Sequence, residues 1–107
     1  MNIDFNFSSS SEVCQEIGGR LRRHRLAQNL QQAELAAKAG VSKLTVINLE
    51  KKGTVTFLSL IQVVRALGVV DELAELFVLQ PKSIAMMEAA EGASRRVRAS
   101  PRPKKAM

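Results

Sequence analysis

Residues 30–53 read LQQAELAAKAGVSKLTVINLEKKG, and this stretch decides the fold. Apolar side chains fall at Leu35, Ala36, Ala39, Val41, Val46 and Leu49, a spacing that lets two short helices share one small core. The first helix is expected from Gln32 to Ala39 and the second from Ser42 to about Lys51. Gly40 stands between them, where the chain needs a left-handed residue and glycine takes that conformation without steric penalty. Ser42 follows, at the place where a hydroxyl accepts from the free amides of the next helix. Ala36 matters most, because two helices crossing this closely leave room for little more than a methyl group.

Two such helices joined by a tight turn make the helix-turn-helix arrangement, in which the second helix enters the major groove of DNA. The charge pattern agrees. The chain of 107 residues carries a formal charge of +6, but the distribution says more than the total. Residues 20–52 hold eight Lys and Arg against Glu34 and Glu50, the segments on either side are acidic, and the last thirteen residues add six bases and no acid. A positive field centred on the motif and the helix before it suits a polyanion.

Outward from the motif, the length allows a single domain with a modest core. Aromatic residues are only 4% of the chain, with no Trp or Tyr, so a core of Leu, Val, Ile and Ala points to an all-α fold. A single cysteine rules out an intramolecular disulfide. No apolar run reaches the roughly 20 residues needed to span a bilayer, and Met1–Phe7 has no basic residue of a signal peptide. The expectation is a cytoplasmic, nucleoid-associated protein that does not engage a membrane.

Three regions follow: an N-terminal arm at 1–11, a helix-turn-helix domain at 12–80 and a C-terminal extension at 81–107. In the arm, Ile3, Phe5 and Phe7 alternate with polar residues, the period of a half-buried strand. A lone strand is not stable, so this arm either stays unstructured or pairs with a second copy or a partner chain. Ser10 or Ser11 is expected to cap a first helix that starts near Glu12 and ends near Gln28 or Asn29. Val13, Cys14, Ile17, Leu21 and Leu26 form its inner stripe. Gly18–Gly19 is unusual inside a helix, costing about 1 kcal/mol per glycine relative to alanine. Either the backbone is closely approached there or the helix begins at Gly19. A fourth helix is expected over Leu58–Ala66, buried through Leu60, Ile61, Val64 and Leu67 and ended by Gly68. A fifth, DELAELF at Asp71–Phe77, turns Leu73, Leu76 and Phe77 inward. Residues 82–93 have helix formers without a strong face, and the composition after residue 94 predicts disorder.

With LRRHRLAQNLQQAELAAKAGVS, TVINLEKKG and RALGV in place, the chain from Ile17 to about Phe77 resembles the Xre/Cro-type, lambda-repressor-like helix-turn-helix regulators. The resemblance implies a five-helix DNA-binding domain and a salt bridge from Arg25 to Glu50 that ties the first helix to the reading helix. It also implies that Gln32 contacts a backbone phosphate and that Ser42, Lys43, Leu44, Thr45, Ile47 and Asn48 face outward. Lys43 suits guanine or a phosphate, Thr45 offers a hydroxyl or a methyl, and Asn48 suits adenine. Leu44 and Ile47 depart from the polar residues common there; they meet thymine methyls or mark weak direct readout. Lys51 and Lys52, with Arg20, Arg22 and Arg23, are backbone-contact candidates. The segment RALGVVDELAELF, the basic tail and the small size also resemble the HipB-type antitoxins, which bind a HipA-type Ser/Thr kinase and repress their own operon.

The leading expectation is therefore a homodimeric, sequence-specific repressor on an inverted-repeat operator, with antitoxin action against a HipA-type kinase as its finer form. Alternatives are a stand-alone repressor, or an interaction module that chiefly restrains a partner protein. An enzyme is disfavoured: His24 is the only histidine, no nucleophile–base pair is available, and Gly18–Gly19 lacks the spacing of a phosphate-cradling loop. One His and one Cys do not make a metal site, and no cofactor is implied. RNA binding is weaker too, since no aromatic platform for base stacking is present.

Overall fold

The structure is a computed structural model that describes residues 3–80, 88–89 and 91–92. The chain divides into two units, Met1–Ala74 and Glu75–Met107, and each is taken by itself. The first unit holds four helices: α1 (Ser10–Ala27), α2 (Gln32–Ala39), α3 (Lys43–Lys52) and α4 (Phe57–Ala66). A single 3-10 turn follows at Val70–Leu73.

Helix α1 begins at Ser10, and its cap lies one residue before the earlier of the two serines expected to cap it. Ser9 is the cap: its Oγ accepts from the Glu12 amide at 3.0 Å, and the Glu12 carboxylate accepts from the Ser9 amide at 2.8 Å. Only Ser9 has a glutamate three residues later, and that reciprocal pair satisfies two amides at once. The strand expected over Ile3–Phe7 does not form, and no strand occurs among the described residues. Asp4 takes over the segment. Its carboxylate accepts from the Asn6 amide at 3.0 Å, and its carbonyl accepts from the Phe7 amide at 3.0 Å and the Ser8 hydroxyl at 2.9 Å. A local turn of this kind satisfies backbone groups that an unpaired strand would leave open. Phe5 then lies under the Arg20 guanidinium, 5.2 Å from ring centre to Cζ.

The double glycine resolves into two different cases. Gly18 is buried, and a Cβ built on it would overlap the carbonyl oxygen of Leu49 on α3. The backbone of α3 therefore packs directly onto α1 at that point, which is why the helix tolerates a residue of poor propensity there. Gly19 has no such neighbour. Along the same helix Leu21 is buried and Val13 and Ile17 are half-buried, but Cys14 and Leu26 are exposed rather than inward. Cys14 lies against Gly53, the left-handed residue (φ +72°) that ends α3: a Cβ built on Gly53 would overlap the Cys14 carbonyl and Cβ. No side chain fits at Gly53 for both reasons.

Helix α1 ends on Asn29 in the left-handed region (φ +59°), and α2 ends on Gly40 (φ +74°), with the Val41 amide returning to the Ala36 carbonyl at 3.0 Å. These closures reverse the chain in two or three residues and set α3 across α2. The core comprises Leu21, Leu35, Ala36, Ala39, Val46, Leu49, Val63, Val64 and Leu67. Thr56 caps α4 by accepting from the Ser59 amide at 3.0 Å. Val63 is fully buried, whereas the expected Leu60 and Ile61 are only partly covered.

The fifth helix is a correction. Val69 has no side chain able to cap a helix, and the segment makes short-range bonds instead, Glu72 amide to Val69 carbonyl and Ala74 amide to Asp71 carbonyl. Leu73 packs on the core; Leu76 and Phe77, expected to face inward, are exposed, Phe77 at 93% with φ +61°. A seven-residue helix needs an apolar face against a partner to offset its nucleation cost, and only Leu73 supplies one. In the second unit, residues 88–89 and 91–92 are helical. The rest of the segment expected as a helix over 82–93, and the basic tail after 94, lie outside the described residues.

Candidate nucleic-acid interface

Helix α3 buries one side and presents the other. At 100° per residue, Val46, Leu49 and Glu50 form the inner stripe, and all three are buried. The centre of the opposite face is Leu44, Asn48 and Lys51. Ser42, Lys43, Leu44, Lys51 and Lys52 are exposed, while Thr45, Ile47 and Asn48 are half-buried. The expected outward set is therefore brought onto one helix surface, with Ile47 at its flank.

The N-terminus of that helix is locked. Ser42 Oγ accepts from the Thr45 amide at 3.0 Å and shares a 2.9 Å hydrogen bond with Thr45 Oγ1. Ser42 Oγ thus serves the cap with Thr45 as its partner, and the polar side chains at the centre of the outward face, Asn48 and Lys51, have no hydrogen bond or ion pair among the described residues. Replacing Ser42 by alanine removes the cap and strands the Thr45 hydroxyl. We expect about 1 kcal/mol of lost stability, read as a lower thermal midpoint, with the fold retained.

Beneath the outward face sits a buried ion pair. Arg25 Nε donates to Glu50 Oε2 at 2.6 Å and Nη2 donates to Oε1 at 2.9 Å, a bidentate fork, while Nη1 donates to the Leu30 carbonyl at 2.7 Å. The hydrogen bond to Glu50 raises the Arg25 pKa further above its ordinary value, so the guanidinium stays charged. One residue thereby joins α1, the turn before α2, and the end of α3. Gln32 adds a third strut: its Nε2 donates to Glu50 Oε1 at 3.1 Å, fixing the side chain that the resemblance assigns to a phosphate. The Gln31 amide before it donates to the Glu34 carboxylate at 2.7 Å. The Arg25–Glu50 pair was legible from the resemblance; the Leu30 and Gln32 contacts carry no signal in the sequence.

The basic residues divide into two groups. On α1, Arg20 and Arg23 pair with Glu16 at 2.9 and 3.5 Å, and Arg22 lies 4.0 Å from Glu50. The hydrogen bond from Arg20 holds the Glu16 carboxyl below its usual pKa. Those three charges are partly compensated. Lys43, Lys51 and Lys52 have no ion pair among the described residues, which places uncompensated charge at both ends of α3. A rigid helix with a bare positive charge at each end and a reading stripe between them suits phosphates on either side of a groove.

The helix-turn-helix family profile matches residues 21–73, the span that contains α2, α3, the Arg25–Glu50 pair and the core. No curated protein matches the chain. No described helix is long and apolar enough to cross a membrane.

Proposed function

We propose that this chain, whose residues 21–73 form an Xre/lambda-repressor-like helix-turn-helix domain, is a sequence-specific transcriptional repressor that binds DNA as a homodimer. The observation that carries the reading is the outward face of α3: Leu44, Asn48 and Lys51 lie opposite the buried stripe, flanked by lysines without counter-charges among the described residues. Two copies would set their α3 helices in successive major grooves about 34 Å apart, on an inverted repeat. Each half-site contact is modest, so pairing of the two copies supplies much of the affinity. No catalytic role is part of this reading.

Selection from a pool of random duplexes tests it. The expected product is an inverted repeat with half-site centres one helical turn apart, bound as a 2:1 complex. Lys43→Ala is expected to relax the preference at one base position by about tenfold, within the range of a lost base contact. Removing residues 95–107 is expected to weaken binding evenly across sequences and to flatten its salt dependence. A changed preferred site on tail removal would contradict that division.

The finer reading is that the repressor is the antitoxin of a HipA-type kinase and autoregulates the operon it shares with that kinase. Four consecutive exposed apolar residues, Leu76, Phe77, Val78 and Leu79, support it, since such a run suits a partner surface. Purification together with the product of the adjacent gene separates the possibilities. Co-purification with a kinase-like protein supports the antitoxin, and a self-sufficient dimer on DNA supports a stand-alone repressor.

A further inference from the structure

Leu44 occupies the middle of the surface that would face bases, yet it offers no polar group to read them. It is 63% exposed and lies one helical turn before Asn48 on the outward stripe. A single exposed leucine is ordinary on a protein surface; this one is set apart by what surrounds it. Ser42 Oγ accepts from the Thr45 amide and shares a hydrogen bond with Thr45 Oγ1, which turns both hydroxyls toward the helix cap. The Gln32 amide group is held by Glu50. Ile47, the other aliphatic residue of the face, is half-buried at its flank and projects less. Lys43 precedes it at the start of the helix, and Asn48 and Lys51 follow it on the same stripe, so an isobutyl group stands among the polar readers.

In the major groove one base-edge feature is apolar: the 5-methyl group of a pyrimidine. Resting on the DNA-binding reading above, we propose that Leu44 is a specificity-determining residue that packs on a pyrimidine 5-methyl group and makes binding depend on that methyl. The contact removes apolar surface of both groups from water and needs no hydrogen-bond partner, which fits a side chain without one. It also adds discrimination beyond hydrogen bonding: polar contacts from Lys43, Asn48 and Lys51 fix the register, and the methyl contact selects a base beside them. Thymine and 5-methylcytosine both carry the group, and binding measurements distinguish them.

The test uses the full chain and duplexes selected by it. Each thymine of the selected half-site is replaced in turn by deoxyuridine, which lacks only the methyl; in a second arm each cytosine is replaced by 5-methylcytosine. At one position the wild-type protein is expected to bind the deoxyuridine duplex about fourfold more weakly per half-site, the effect of burying roughly one methyl group. Leu44→Ala and Leu44→Gln are expected to bind the two duplexes equally, so that the side chain and the methyl are coupled. A gain of similar size in the second arm, with none lost in the first, would assign the methyl to 5-methylcytosine and equally support the contact. Because Leu44 is exposed, both variants are expected to melt with the wild type. The proposal is overturned if no methyl changes wild-type binding more than it changes binding by the variants, a result that leaves the DNA-binding reading standing. Failure of the wild type to enrich any duplex overturns that reading, and the methyl contact with it.

Discussion

Gly18→Ala is expected to destabilise the first unit by about 3 kcal/mol, whereas Gly19→Ala is expected to stabilise it by up to about 1 kcal/mol. The two glycines are adjacent in α1, and helix propensity alone treats them alike. Their surroundings differ. A Cβ at Gly18 would overlap the Leu49 carbonyl of α3, which is backbone and belongs to the fully packed Val46–Leu49 region. Relief requires moving α3 away from α1, and that opens the contact made by the most tightly packed part of the core. At Gly19 the nearest atom to a Cβ is Arg23 Nη1 at 3.8 Å, the far end of an exposed side chain. There the substitution only lowers the entropy of the unfolded chain. Urea titration of both variants checks the pair: midpoints should move in opposite directions with unchanged slopes.

Glu50→Ala is expected to cost about 3–5 kcal/mol, the usual effect of removing one partner of a buried ion pair. Arg25 would remain charged beneath the α3 surface with only the Leu30 carbonyl for compensation, and Gln32 would lose its anchor. Against a total stability of about 5–15 kcal/mol, this is enough to populate unfolded chain at physiological temperature. Replacing both partners, Arg25→Met with Glu50→Leu, is expected to recover most of the loss, because no bare charge is then buried. A double-mutant cycle followed by circular dichroism measures the coupling. The recovered fold should still bind DNA less well than the wild type, since Gln32 is no longer held.

The parts of the structure legible in the sequence were those specified by short-range chemistry. Gly40 and Ser42 fix the turn and cap of the motif within one residue, and the apolar spacing from Leu35 to Leu49 names much of the core. The Arg25–Glu50 pair was visible through family resemblance, since nothing local joins residues 25 apart. The misreadings share a cause. Period-two alternation at Ile3–Phe7 carried no information about a pairing partner, and Asp4 satisfied the backbone locally. DELAELF has helical composition, but Val69 provides no cap and only Leu73 finds the core. Gly18 required knowledge of which backbone crosses it. At the candidate site, residue identities were readable from position, while the commitment of Ser42, Thr45 and Gln32 to other partners was not; that commitment is what gives Leu44 its weight.

Amide chemical-shift mapping of the full chain against a selected duplex tests the central claim, that the outward face of α3 reads DNA. The largest perturbations are expected at Gln31–Ala33 and from Ser42 to Lys52, with Val46 and Leu49 shifted less than Leu44 and Asn48. Perturbations concentrated instead on α4 or on residues 70–79, with 42–48 unmoved, would contradict it.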